Sequence, residues 1–110
     1  IVYEPANLEL CGQNYGKIAI KKLYPHIFNV YLQNQIISPE GTNEIDTWTR
    51  GKIKFHSVPI WTPSKINFKH IIETLKELNY TGFVTIHQSS PTQTVNSIKQ
   101  SAEYLKNFIS

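Results

Sequence analysis

Asn67-Phe68-Lys69-His70-Ile71-Ile72-Glu73-Thr74-Leu75-Lys76-Glu77-Leu78-Asn79-Tyr80-Thr81-Gly82-Phe83-Val84-Thr85-Ile86-His87-Gln88 is the stretch on which the reading of the fold turns. Phe68, Ile71, Ile72, Leu75 and Leu78 recur at i, i+3, i+4, i+7 and i+10, the stripe of an amphipathic helix laid on a sheet. Asn67 is placed to cap it. Asn79-Tyr80-Thr81-Gly82 supplies the stop, with Gly82 free to take a left-handed conformation. The run from Phe83 to Gln88 then reads as a buried strand. A helix joined to such a strand by so short a turn predicts an α/β unit with a parallel crossover.

Working outward, Ile27-Phe28-Asn29-Val30-Tyr31-Leu32-Gln33-Asn34 is a bounded apolar and aromatic run of strand length. Before it, residues 14 to 24 predict a short helix with Asn14 as its cap, Ala19, Ile20, Leu23 and Tyr24 on one face, and Pro25 as its end. Ile1-Val2-Tyr3 reads as a strand stopped at Glu4-Pro5. From Ile36 to Arg50 no helical period holds, and Pro39, Gly41, Asn43 and Gly51 predict a long loop carrying Trp48. Lys52 to Val58 alternates polar and apolar residues as a short half-buried strand, followed by an irregular segment through Trp61. Ser90-Pro91-Thr92-Gln93 fits a capping box, and the final helix places Val95, Ile98, Ala102, Leu105 and Ile109 on one face. Tyr104 and His70 fall outside the apolar stripes and are expected at the surface. The order strand, helix, strand, loop, short strand, helix, strand, helix predicts a mainly parallel α/β sheet.

The composition narrows the function. The 110 residues are 40% hydrophobic and 17% charged, as expected of one soluble globular segment. Eleven basic against eight acidic residues give +3, scattered rather than clustered, which argues against nucleic acid as a partner. A single cysteine, Cys11, excludes an internal disulfide framework and cysteine-rich zinc sites. No apolar run approaches the ~18 residues of a membrane-spanning helix, and no signal peptide opens the chain. There is no methionine, so a processed chain or a piece of a longer one is expected, with a cytoplasmic location as the default.

In parallel sheets ligands gather at the carboxyl ends of the strands. Glu4 and Asn7, Gln33 and Asn34, His56, and His87 and Gln88 are expected to converge there. Glu4, His56 and His87 are of the types that bind metals or move protons near neutral pH, while each also suits an ordinary hydrogen-bonded role. Gln33, Asn34 and Gln88 match the hydroxyl groups of a sugar or polyol, or equally cap loop backbone. Trp48 and Trp61 offer faces for a sugar, or cover the sheet. Arg50 could grip a phosphate or carboxylate, or be solvated. Phosphate-binding glycine loops, nucleophile elbows and zinc-binding helix motifs are all missing from the sequence.

The segments Tyr3-Glu4-Pro5-Ala6-Asn7-Leu8, Ile27 to Asn34, Ile66-Asn67-Phe68 and Tyr80 to Gln88 together resemble the carboxyl-terminal half of a xylose-isomerase-like TIM barrel. That superfamily comprises sugar phosphate isomerases and epimerases and includes the endonuclease IV group. The resemblance covers nearly the whole chain and implies a partial (β/α)8 barrel, residues 1–110 supplying strands five to eight with their helices. It implies a sugar or polyol isomerase or epimerase in the intact parent, moving a proton next to a carbonyl. Glu4 and His87 would be the catalytic residues and the ligands of a divalent metal (Mn, Mg, Zn or Co). Asn7, Gln33, Asn34, His56, Gln88 and Trp61 would contact substrate. The sequence departs from the family where Tyr31 and Asn34 replace a histidine and an aspartate, and where His87 replaces a glutamate. The alternative is a non-catalytic carbohydrate-binding barrel that has lost its metal; a DNA-repair endonuclease fits less well. Half a barrel alone is expected to be inactive and either to aggregate or to self-associate, and the parent could be a homo-oligomer.

Overall fold

A computed structural model describes residues 1–86 and 95–109. Its elements in chain order are β1 (Val2–Tyr3), α1 (Pro5–Leu10), α2 (Lys17–Leu23), a 3-10 turn (Tyr24–His26), β2 (Asn29–Leu32), β3 (Asn34–Ile37), β4 (Asn43–Thr47), β5 (Gly51–Val58), α3 (Phe68–Glu77), β6 (Phe83–Ile86) and α4 (Val95–Ile109). They form two three-stranded sheets, one in the order β1-β2-β6 and the other β3-β5-β4. The first is parallel, with Tyr3 opposite Val30 and Val30 opposite Val84. The second is antiparallel throughout.

The partial TIM barrel is therefore overturned. Among the described residues the strand–helix repeat of a barrel is missing, because the chain between β2 and α3 spends residues 34 to 58 on an antiparallel sheet. The stretch 36 to 50, expected to be a loop, contains the end of β3 and the whole of β4. Almost all of β4 is exposed, so it carries no apolar period, and pairing with β5 is what makes it a strand. Glu44 lies opposite Lys54 and Asp46 opposite Lys52, and such cross-strand charge pairs favour this register. The hairpin turns through Trp48, Thr49 and Arg50 and closes on Gly51, whose φ of 68° suits glycine. Gly41 has no room for a side chain: a Cβ there would sit 2.6 Å from the Cα of Phe55 in β5.

The helix–strand unit that dominates the sequence forms, but β6, expected to be buried, lies at the edge of its sheet with Phe83 exposed and the other described residues half-buried. Phe68, Ile71, Ile72 and Leu75 of α3 are buried with Val30 and Leu32 of β2, Ile20 of α2 and Leu105 of α4. One face of the parallel sheet thus carries three helices and the main core. Truncating a leucine or isoleucine in this cluster to alanine costs about 2–5 kcal/mol. The Asn67 side chain accepts from the His70 N–H at 3.0 Å, the cap the sequence predicted. The stop differs in detail. Asn79, not Gly82, takes the left-handed conformation, at φ 58°. Tyr80 N–H then donates to Leu75 O and Asn79 N–H to Lys76 O, each at 3.0 Å, a Schellman closure. Asn14 does not cap α2 directly; its Oδ1 accepts from Gly16 N–H one residue before the helix.

Pro5 at the first helical position starts α1, an element the sequence reading did not foresee. Val95 and Ile98, expected on the buried stripe of α4, are exposed, whereas Leu105 is buried. Tyr104, expected at the surface, is half-buried and meets Phe108 edge to face at 5.1 Å. No helix of the described residues is long and apolar enough to cross a membrane.

Candidate functional site

The carboxyl end of the parallel sheet is where the two sheets meet. A single residue, Gln33, separates β2 from β3, so the chain leaves one sheet and enters the other at that point. Asn34 follows it and is buried. Its Nδ2 donates to the carbonyls of Thr62 at 2.7 Å, Pro59 at 3.0 Å and Ile60 at 3.4 Å. Its Oδ1 accepts from Ser64 Oγ at 2.6 Å and from the Gln35 N–H at 2.9 Å. An amide engaged on both sides in this way fastens the 59–64 segment to the sheet and has nothing left to offer a substrate.

That fastened segment carries Trp61, which is half-buried. Trp61, Thr62, Pro63, Ser64, Lys65, Asn67 and Lys69, together with Tyr104 from α4, line a hollow of about 370 Å³. The aromatic rings of Trp61, Phe68 and Tyr104, the hydroxyls of Thr62 and Ser64 and two exposed lysines thus border one opening. The volume lies at the lower end of the ~300–1,000 Å³ usual for small-molecule sites. Lys65, Lys69 and Tyr104 were not among the residues singled out from the sequence. The lysines lie on either side of the Asn67 cap, and Tyr104 is brought there only by the packing of α4 on α3.

The other expected site residues are dispersed. Glu4 immediately precedes α1, and its Oε2 accepts from Asn7 Nδ2 at 2.7 Å, so these two do meet at the end of β1. His56 sits in β5 opposite Ile36, within the antiparallel sheet and not at the end of a parallel strand. Trp48 is fully exposed at the hairpin turn. The Nη1 of exposed Arg50 donates to the Glu9 carbonyl at 3.2 Å, and neighbouring Thr49 Oγ1 donates to the Cys11 carbonyl, so the hairpin tip closes the carboxyl end of α1. His87 and Gln88 lie outside the described residues. Among the described residues no group of three or more His, Cys, Asp or Glu gathers to hold a metal ion. Glu4's hydrogen-bond partner is an amide, not an imidazole or a second carboxylate, so the described residues do not by themselves compose a metal site.

A second polar group lies under α1. Glu9 is buried; its Oε1 accepts from Gln35 Nε2 at 3.0 Å and its Oε2 from the Tyr15 hydroxyl at 3.5 Å. Gln35 Nε2 also donates to Ala6 O at 2.8 Å. Burial raises the Tyr15 phenol above its ordinary 10, and the Glu9 carboxylate beside it adds to the shift. The Tyr3 hydroxyl donates to the Tyr15 carbonyl; burial raises its phenol well above the ordinary value, and Tyr15 raises it further. No protein-family model matches the chain, and no curated protein matches it significantly.

Proposed function

We propose that the chain binds a small carbohydrate in the hollow between the 61–69 segment and α4, with preference for one that carries a negative charge. The observation that carries this reading is that Trp61 and Tyr104 line one hollow together with Lys65 and Lys69. Aromatic rings stack on the apolar face of a sugar ring. The hydroxyls of Thr62 and Ser64 and the exposed lysines supply donors and acceptors around its edge. The carbohydrate expectation thus keeps Trp61 as a contact residue, whereas the barrel from which it was first inferred is gone.

The test uses Trp48→Phe, which leaves Trp61 as the one tryptophan. Its emission is titrated with neutral monosaccharides, polyols and sugar phosphates. A saturable change in Trp61 emission is expected, strongest for the phosphorylated ligands and weakened by salt and by Lys65→Ala or Lys69→Ala. No saturable change with any of these ligands up to about 10 mM, a concentration that would reveal even millimolar affinity, would refute the proposal.

Proton transfer on a sugar held beside Glu4, in the separate hollow that Tyr3, Glu4, Asn7 and Leu8 line, is the isomerase reading and a second proposal, favoured by one observation. The Glu4 carboxylate is held by Asn7 at the carboxyl end of a parallel strand, as a positioned base would be. Its test is the exchange of carbon-bound hydrogen for solvent deuterium in the sugar, followed by NMR. Exchange abolished by Glu4→Gln supports the reading; exchange unaltered by it removes Glu4 from the chemistry.

A further inference from the structure

On the opposite side of the 63–65 segment lies a second hollow, of about 250 Å³, lined by Glu9, Gln35, Ile36, Ile37, Pro63, Ser64 and Lys65. Its walls are mostly aliphatic, and its one acidic group is Glu9, only 8% exposed. Among the described residues no cation is paired with that carboxylate; the ion pairs are Lys17 with Glu77 and Lys52 with Glu44. The nearby guanidinium of Arg50 spends its Nη1 on the Glu9 backbone carbonyl. Lys65 is exposed and contributes its carbonyl to the Tyr15 hydroxyl, at 3.4 Å.

A carboxylate oxygen accepts more than one hydrogen bond, and Glu9 receives one good bond at Oε1 and one long bond at Oε2. A carboxylate removed from water without a counter-charge is costly, and a donor cation entering beside it offsets that cost. We propose that this hollow binds the primary ammonium group of a small aliphatic amine, with Glu9 as its counter-charge and Ile36, Ile37 and Pro63 packing against the alkyl chain. The site is separate from the carbohydrate hollow and does not depend on that reading. Ammonium is favoured over a neutral alcohol because it offers three donors and a positive charge to a carboxylate acceptor. A long chain is excluded by the volume.

The experiment is an NMR titration of the folded protein with n-butylammonium, following the Gln35 side-chain amide, which bonds to Glu9 directly. A saturable shift of that amide is expected, with n-butanol giving none. Glu9→Gln keeps the shape and the acceptor for Gln35 while removing the charge, and should weaken binding by at least about tenfold. Glu73→Gln, an exposed charge removed from α3, should leave it unchanged. Ile37→Trp fills the hollow while leaving Glu9 unmutated and should abolish the shift, which decides the matter if Glu9→Gln does not fold. An absent shift, an equal response to butanol, or binding that survives Ile37→Trp would overturn the proposal.

Discussion

Replacing Asn34 by alanine removes the amide that fastens the Trp61 segment to the end of β2. Three carbonyls receive its Nδ2, but an amide has two N–H groups, and the 2.7 and 3.0 Å bonds to Thr62 and Pro59 are the effective ones. The 3.4 Å approach to Ile60 adds little. On the other side the Ser64 hydroxyl and the Gln35 N–H lose their acceptor. Each buried group left without a partner costs about 1–3 kcal/mol, and the 59–64 segment is partly solvated, so water recovers a share. The expected loss is about 3–4 kcal/mol, read as a drop in the urea midpoint by far-UV circular dichroism with the slope unchanged. Asn34→Asp separates the network from mere packing. It keeps the volume, but a carboxylate would face the Thr62 and Pro59 carbonyls where a donor stood, so at pH 7 it should be no more stable than Asn34→Ala. Protonation of the introduced carboxyl restores one donor, so Asn34→Asp should recover part of its deficit relative to wild type as pH falls towards 4. A loss below about 1 kcal/mol in Asn34→Ala, or a stable Asn34→Asp at pH 7, would refute the reasoning.

Three further outcomes are expected. Gly41→Ala forces a Cβ against the Phe55 backbone and should cost about 1–3 kcal/mol, measured by chemical denaturation; an unchanged midpoint would show that the β3–β5–β4 sheet gives way freely. Asn79→Val places a β-branched residue at φ 58° and should cost about 1–2 kcal/mol, while Asn79→Gly should not destabilise; equal losses in both would remove the left-handed closure as the cause. Tyr3 and Tyr15 hold their protons to higher pH in the folded protein than in the unfolded chain, so above pH 10 the unfolded state binds fewer protons and stability falls as pH rises. The stability they contribute is full below pH 10, and an ultraviolet titration should show phenols ionising later in the native protein than in urea.

Much of the architecture could be read along the chain. The stripe Phe68, Ile71, Ile72, Leu75 marks α3 because its burial against the sheet follows the helical period, and Asn67 marks its start through a hydrogen bond three residues away. β2 and β6 are recognisable as apolar runs of strand length. Lys52 to Val58 was legible by its alternation and forms β5, whereas the 36–50 stretch resisted because β4 buries little, so it has no period to detect. Its signals are weaker ones: Glu44 and Asp46 spaced to oppose Lys54 and Lys52, and glycine at 51 where the hairpin closes. The candidate site divides in the same way. Trp61 stood out as an aromatic in an irregular segment, and Glu4 with Asn7 stood out at a strand end. Asn34 was also conspicuous, yet its amide holds up the loop instead of meeting a ligand, since carbonyls from residues 59 to 62 reach it first.

By itself, then, the amino-acid sequence determined what local forces govern: the long amphipathic helices and the parallel β2–β6 pair they cover; its single cysteine also excluded an internal disulfide framework. Periodicity and capping act within a few residues, so they are written in adjacent letters. The tertiary structure alone decided that His56 would lie in an antiparallel sheet away from the parallel strand ends. It alone decided that Tyr104 and Trp61 would line one hollow and that Glu9 would be buried beside Gln35 without a cation. Each of those pairs is more than 25 residues apart in the chain, and only the burial of the common core sets which distant surfaces meet.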